Sequence, residues 1–352
     1  MQTNEQGVNI LKVAVVGASG YGGVELIRLI EQHPHFQLDA VFSSTKSGES
    51  IRSIYPHLHS SLVLEEMSVD RMTNGIEIIF FATPPGVSSK WVPTLLERGK
   101  CVIDLSGDFR LTVPETYEKW YQKQAPPTNY LQQAVYGLSE WFQKEIAQAS
   151  LISNPGCYPT AALLSLAPLL QEKIIDPTSV IIDAKSGTTG AGRGTKPSLL
   201  FSEVNENIRP YKVDGHQHIP EIEQWSSHFA QTEIKVSFIP QLIPMNRGIL
   251  VTIYAENMNN YTKVDLYNLY QSIYGKSPFV RIKGQTWPET KFVQGSNHCD
   301  IGFHVDERTG RIILLAVIDN LMKGAAGQAI QNANIRFGLP ETTGLLLSPL
   351  FP

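Results

Sequence analysis

Cysteine is scarce in this chain of 352 residues: three thiols, Cys101, Cys157 and Cys299, with no CxxC spacing among them. So sparse and odd a set argues against a disulfide framework and against a thiolate zinc site, and it suits a reducing, cytoplasmic setting. The opening MQTNEQGVNI has no basic stretch followed by an apolar one, so no secretory signal is expected. Long hydrophobic runs are missing as well. Ile78–Ala82 and Ile312–Ile318 have strand length, far short of the roughly 20 residues of a membrane helix, and no membrane association is expected. The net charge of −4 gives no reason to expect bulk nucleic-acid binding. It leaves small anionic ligands open, because a local cluster can hold phosphate whatever the total charge. There is no internal repeat and no low-complexity tract, and a hydrophobic share of 42% is ordinary for a globular protein. The length predicts two domains.

The first half has a βα rhythm. The β-branched run Leu11–Val16 ends in Gly17-Ala18-Ser19-Gly20-Tyr21-Gly22-Gly23, and helical spacing of apolar residues follows over Val24–Gln32. A glycine turn between strand and helix lets the backbone approach a pyrophosphate with the helix N-terminus facing the charge. Further strands are expected at Gln37–Phe42, Glu77–Ala82 and Cys101–Leu105, with a helix over Ser88–Arg98. These are continuous apolar strands between helices, the pattern of a doubly wound parallel sheet. An NAD-binding unit places a carboxylate near the end of its second strand. Here the strand runs instead into Ser43-Ser44-Thr45-Lys46, hydroxyls and an amine that suit a 2′-phosphate, so NADP(H) is preferred.

After position 156 the pattern changes. A helix over Thr160–Gln171, shortened or kinked at Pro168, is followed by strands at 179–184, 233–239, 249–256, 279–282, 301–305 and 311–317. A helix is expected over Lys263–Tyr274, and another over Asn320–Arg336 that returns to the first domain. The fold class is therefore α/β: a Rossmann-type doubly wound parallel sheet plus an α+β domain with a mixed, largely antiparallel sheet. The expected division is 1–155 for NADP binding, completed by 320–352, and 156–319 for catalysis and oligomerisation.

In Ser153-Asn154-Pro155-Gly156-Cys157-Tyr158-Pro159-Thr160 a turn breaks the chain just before Cys157. A thiol at a helix N-terminus feels the dipole and unpaired N–H groups, which favour thiolate. Cys101, inside an apolar strand, and Cys299 read as packing. A thiolate nucleophile needs a proton partner. Five histidines (His33, His35, His57, His59, His228) lie in loops or on polar helix faces, whereas His216 and His218 stand together in a turn before a helix. His218 is favoured because it adjoins the helix start. Arg110, in Asp104-Leu105-Ser106-Gly107-Asp108-Phe109-Arg110, follows a parallel strand at the sheet edge that binds ligands. From position alone it either forks an anion or pairs with Asp108. The glycine-rich Ser186–Arg193 can bring backbone donors near a substrate, or is a plain connection.

SNPGCYPTAALL closely resembles the active-site signature of the N-acetyl-γ-glutamyl-phosphate reductases, and VVGASGYGGVEL, DLSGDFRL, YGLSEW, SGTTGAGR, DGHQHIPEI, PMNRGIL and DNLMKGAAGQAIQNAN fall in that family's order. The related aspartate-semialdehyde dehydrogenases typically have Asn immediately before the cysteine, where this chain has Gly156. Two departures lie near the cofactor: Thr83-Pro84-Pro85-Gly86 replaces Leu-Pro-His-Gly, and Gly107 stands where Ala is usual. The resemblance implies NADPH-dependent reduction of an acyl phosphate to a semialdehyde through a thioacyl enzyme on Cys157, in arginine biosynthesis. The alternative is aspartate semialdehyde or another acyl phosphate, and a non-catalytic NADP-binding regulator is a weaker third reading. The resemblance further implies that His218 or His216 moves the proton, and that Arg110, Ser186 and Asn154 contact the substrate. For the cofactor it implies contacts from Gly17, Ser19, Gly20, Tyr21, Gly22, Ser44, Lys46, Pro84, Ser186, Gly187, Asn320 and Lys323. No metal is expected, and the assembly is a homodimer or homotetramer.

Overall fold

A computed structural model describes residues 2–3 and 9–351. The chain divides into two compact units. One comprises the residues up to Pro155 together with Ala325–Leu346, the other Gly156–Gly324 and the tail from Leu347.

The first unit is built on six parallel strands: β2 (Asn9–Val16), β3 (Phe36–Phe42), β4 (Ile78–Phe81), β5 (Cys101–Asp104), β6 (Val135–Tyr136) and β7 (Leu151–Ser153). A short β1 (Gln2–Thr3) lies antiparallel to β2. Their order is β3-β2-β4-β5-β7-β6. The second and third parallel strands flank the first, so the direction of winding reverses at β2, where a doubly wound sheet opens its ligand crevice. Every residue of β4 and β5 is buried, which is why their sequences run apolar without alternation. Val92 and Leu95 of the Ser88–Glu97 helix pack on one face with Ala14, Val16, Ile79 and Phe81.

The last helix departs from the sequence expectation of one run over 320–336. Met322–Ala326 is a π-helical turn, and the α-helix covers only Gly327–Arg336. That helix buries polar amides, which its composition does not announce. Asn332 donates to the Gly137 carbonyl (2.8 Å) and to Asn154 Oδ1 (3.1 Å), and Gln328 donates to the Gly137 carbonyl and Ser139 Oγ, both at 2.7 Å. Each would cost about 1–3 kcal/mol if left unpaired. Gly137 has no room for a side chain, since a Cβ there would lie 2.4 Å from Asn332 Nδ2. His33 is likewise no surface histidine: it stacks on Phe36 and meets Asn334 Oδ1 at 2.9 Å, and burial lowers its pKa to about 4.

The second unit holds seven strands: β8 (Ile181–Ser186), β9 (Arg209–Pro210), β10 (Ser237–Leu242), β11 (Ile249–Glu256), β12 (Val280–Ile282), β13 (Cys299–Asp306) and β14 (Arg311–Ile318). The order is β12-β13-β14-β11-β8-β10-β9. Only β12/β13 and β8/β10 pair in parallel. β11 alternates strictly: Ile249, Val251, Ile253 and Ala255 are buried, while Leu250, Thr252 and Tyr254 are half-buried. The buried face carries the helices Cys157–Gln171 and Lys263–Tyr274.

Pro168 does not end the Cys157–Gln171 helix. It removes the N–H that would bind the Leu164 carbonyl, and the Tyr274 hydroxyl donates to that oxygen instead, at 2.7 Å. The Tyr270 hydroxyl donates to the neighbouring Ser165 carbonyl. Tyr274→Phe is therefore expected to leave the Leu164 carbonyl orphaned in the core and to cost about 1–3 kcal/mol. Urea unfolding checks this, and an unchanged midpoint would refute the compensation.

Candidate active site

Cys157 is the first residue of its helix, and Gly156 is the N-cap with an extended ψ of 157°. No side chain caps this terminus, so first-turn N–H groups and the positive end of the dipole surround the sulfur. The thiol is half-buried. Cys101 and Cys299 are buried, and burial pushes the Cys101 thiol up to about 12. Of the three, Cys157 alone has both partial exposure and a helix end beneath it.

A second helix, His218–Ala230, packs against the first. His218 is its opening residue, and the imidazole lies directly against Gly156. A Cβ at that glycine would sit 2.5 Å from His218 Nε2 and 2.9 Å from its Cδ2 and Cε1. Glu221, one turn further on and fully buried, accepts the Gly156 N–H at 2.8 Å. Histidine and carboxylate thus share one helix face at i, i+3 and together fix the residue before the cysteine. The sequence reading missed Glu221. The H-x-x-E spacing carried the signal.

His216 has a different place. Its Nδ1 accepts the His218 backbone N–H at 3.0 Å, and its ring lies among Tyr158, Tyr211, Phe238 and His218. Burial, helped by the charge of Lys212, lowers its pKa to about 3. It is a neutral acceptor that orients the turn before the histidine helix.

The π-turn residue Gly324 also borders the cysteine, since a Cβ there would lie 2.9 Å from Cys157 Cβ. Asp319 shapes that turn by accepting the N–H groups of Leu321 and Met322 at 2.8 and 3.1 Å. Asn320 accepts the Gly248 N–H at 2.8 Å and donates to Thr189 Oγ1 at 2.9 Å. Ser186 ends β8 opposite Ile249, which in turn pairs with Ile318. Ser186, Gly187, Asn320 and the buried Lys323 therefore gather at the strand ends beside Cys157. Gly187 is required there, because a Cβ would lie 2.6 Å from the Asn246 carbonyl oxygen.

In the first unit, the glycine turn fits a dinucleotide. Gly17, at φ +83°, and Gly23 are demanded by packing, with Cβ positions 2.4 and 2.3 Å from backbone oxygens. Gly20 is not, since its nearest atom would be 3.5 Å away, yet it caps the Tyr21–Ile30 helix without any side-chain bond. The bare backbone and uncapped N–H groups are what a pyrophosphate requires. Ser19 Oγ meets Ser43 Oγ at 3.0 Å, and the Tyr55 hydroxyl holds the Ser19 carbonyl at 2.8 Å. Lys46 pairs with Glu49 at 2.9 Å, both nearly half exposed.

Arg110 is buried, with Nε donating to the Asn154 carbonyl at 2.8 Å and Nη2 to the Leu105 carbonyl at 2.9 Å. Asp108 does not pair with it at these atoms. It binds the Gly86 and Ser89 N–H groups and the Ser88 and Tyr117 hydroxyls, so it shapes the loop containing Pro84. Asp104, buried beside Asp108, has its pKa raised to about 6, chiefly by desolvation. The Asn154 amide is fully buried, donating to the Ala325 carbonyl at 3.2 Å and accepting from Asn332. Arg110 and Asn154 together pin the strand end that leads into the cysteine turn.

Residues 12–149 match the model for the semialdehyde dehydrogenase NAD binding domain, and residues 157–320 that for the semialdehyde dehydrogenase dimerisation domain. The N-acetyl-gamma-glutamyl-phosphate reductase of Geobacillus sp. (strain WCH70) is 51% identical over 346 residues, 97% of this chain and 100% of the relative. The reductase of the same name from Brevibacillus brevis is 50% identical over 347 residues, again 97% and 100% of the two chains. Aspartate semialdehyde dehydrogenase II from Vibrio cholerae, complexed with ASA, has the same fold. Its TM-score is 0.71 at 17% identity, over 94% of this chain and 99% of that one. No helix among the described residues is long and apolar enough to cross a membrane. The chain belongs to the N-acetyl-gamma-glutamyl-phosphate reductase family, oxidoreductases with a nicotinamide-binding Rossmann-type domain.

Proposed function

We propose that this protein reduces N-acetyl-L-glutamyl 5-phosphate to the 5-semialdehyde with NADPH, releasing phosphate, through a thioester on Cys157. The observation that carries this reading is the meeting of two helix N-termini, one presenting Cys157 and the other His218 against Gly156. The Cys157 thiol loses its proton to His218, and the thiolate attacks the acyl carbon. The C–O bond to phosphate breaks, and the proton leaves with the phosphate. N–H groups at the helix terminus stabilise the carbonyl oxygen as it gains charge. Reduced nicotinamide, when bound, supplies a hydride to the thioester carbon. His218, its proton restored from solvent once phosphate has left, protonates the oxygen of the resulting tetrahedral adduct and recovers that proton as the C–S bond breaks, which frees the aldehyde and the thiolate.

In this reading His216 orients His218, and Glu221 holds the Gly156 N–H. Arg110 and Asn154 position the cysteine turn, and a substrate contact from either rests on family resemblance. Gly17, Ser19, Gly20, Tyr21 and Gly22 hold the cofactor pyrophosphate, with Pro84 nearby. Ser44 and Lys46 take the 2′-phosphate, which displaces Glu49 from a surface pair worth little by itself. Ser186, Gly187, Asn320 and Lys323 serve the nicotinamide. The protein acts in arginine biosynthesis in the cytoplasm, as a homodimer or homotetramer. The half-buried sheet face of Leu250, Tyr254, Ile313 and Leu315 supports assembly through the second unit.

The test is a spectrophotometric assay of the purified protein with N-acetylglutamyl phosphate and with aspartyl phosphate. NADPH oxidation with the first and not the second is expected, and activity confined to aspartyl phosphate overturns the substrate assignment. NADH is expected to show a KM at least about tenfold higher, the value of one charge-assisted phosphate contact.

A further inference from the structure

The segment 196–212 carries cations that the mechanism above does not use, and it is fastened to the residue that follows the cysteine. Arg209 begins β9, which pairs with Leu242 at the end of β10. The Arg209 guanidinium donates to the Ser198 carbonyl at 3.2 Å, which fastens the turn begun by Lys196 alongside β9. Two residues beyond Arg209, the Tyr211 hydroxyl donates to the Tyr158 hydroxyl at 3.2 Å, and Tyr158 directly follows the cysteine. The next residue is Lys212. Its Nζ donates to Gln217 Oε1 at 2.6 Å, and Gln217 is the residue between the two histidines. One short stretch therefore ties Lys196 and Lys212 to both helix N-termini of the site.

Lys212 opens a turn closed by the Gly215 N–H on its carbonyl at 3.2 Å, and two of its features bear on an anion. Its backbone sits at φ +46°, a left-handed conformation that costs a lysine about 1–2 kcal/mol. Such strain persists where the surroundings hold it, often at functional positions. The second feature is its neighbour in charge. Partial desolvation, and after it the charge of Lys196, lower the Lys212 pKa, and among the described residues neither ammonium is in an ion pair. Two like charges held near each other without an acid are unfavourable until an anion arrives.

We propose that Lys212, assisted by Lys196, is an oxyanion clamp of this active site that holds an anionic group of the substrate while its acyl carbon lies at Cys157. This rests on the reading of Cys157 as the nucleophile. An acyl phosphate of an acidic amino acid offers two such groups, the phosphoryl dianion and the α-carboxylate. The clamp acts on binding and positioning, whereas the proton moves through His218.

The variants are Lys212→Asn, because asparagine accepts the left-handed backbone without charge, Lys196→Gln and Lys212→Arg. For Lys212→Asn, KM for the acyl phosphate is expected to rise about tenfold or more, with kcat within about threefold and KM for NADPH unchanged. Lys196→Gln is expected to show a smaller rise, and Lys212→Arg to restore most of the affinity. The reverse reaction assigns the group: a raised KM for inorganic phosphate identifies the phosphoryl group, and a raised KM for the semialdehyde the carboxylate. Unchanged KM values in Lys212→Asn, or a loss of kcat without a change in KM, would overturn the clamp. Calorimetric titration of inorganic phosphate and of N-acetylglutamate separates the two readings. Wild type without reductase turnover defeats the functional assignment, whereas equal binding of both anions by wild type and Lys212→Asn defeats the clamp.

Discussion

Cys157→Ser is expected to lower turnover of the acyl phosphate by about four orders of magnitude or more, the scale seen when an enzyme's nucleophile is removed, while NADPH binding survives. Sulfur and oxygen occupy the same helix position, so geometry is not the cause. A serine hydroxyl gives up its proton far less readily than a cysteine thiol at a helix N-terminus. The second half of the reaction suffers too. An ester is a poorer hydride acceptor than a thioester, and an alkoxide is a far worse leaving group than a thiolate. The substituted residue lies half-buried at the start of a helix whose next thirteen residues are buried, so thermal stability is expected to hold. Fluorescence titration of NADPH against the variant separates lost chemistry from lost folding. More than about a tenth of wild-type activity would remove the covalent route. His216, held near 3, is expected not to contribute a limb to the pH–rate profile of wild type, because it stays neutral throughout the range where the enzyme is folded.

Much of this was legible in the sequence because the signals are local. The apolar runs of β2, β4 and β5 and the glycine turn after β2 name a doubly wound sheet without tertiary information. The bounds of β11 and of the Lys263–Tyr274 helix coincide with their periodicity because both alternate between core and solvent. What was not legible depends on distant partners. Pro168 reads as a break because the sequence does not show that Tyr274, over a hundred positions away, donates to the carbonyl that proline leaves open. Gln328, Asn332 and Asn334 carry no local mark of the partners they find, which are Gly137, Ser139, Asn154 and His33. At the site, position left Arg110 between an anion and Asp108. Two of its bonds go to the backbone carbonyls of Asn154 and Leu105, which no motif could foretell. The cations at 196 and 212 lie in a loop, where charges read as solvated until Tyr211 is seen bonded to Tyr158 of the cysteine helix and Lys212 to Gln217.

Gly156 is the position where the sequence and the site meet most sharply, and Gly156→Ala is expected to reduce kcat by about a hundredfold. Its φ of −67° suits any residue, so alanine introduces no backbone strain. The effect comes from one methyl group, 2.5 Å from His218 Nε2 and 2.9 Å from two ring carbons. Contacts of carbon with ring atoms settle near 3.5–4.0 Å, so the imidazole or the turn must shift by about 1 Å. A displacement of that size in a catalytic group costs about two orders of magnitude in rate. Glu221 resists movement of the turn through its bond to the Gly156 N–H, which leaves the ring to move. Crowding at a packed site is expected to cost about 1–3 kcal/mol of stability as well, so stability and kinetics must be measured together. The decisive comparison is a double-mutant cycle with His218→Ser. If the methyl group acts through the ring, the double variant is expected to be no slower than His218→Ser alone, a coupling as large as the single effect. Additive losses would mean that Gly156 serves the cysteine turn independently of the histidine, and the pairing of Cys157 with His218 would fall with that result.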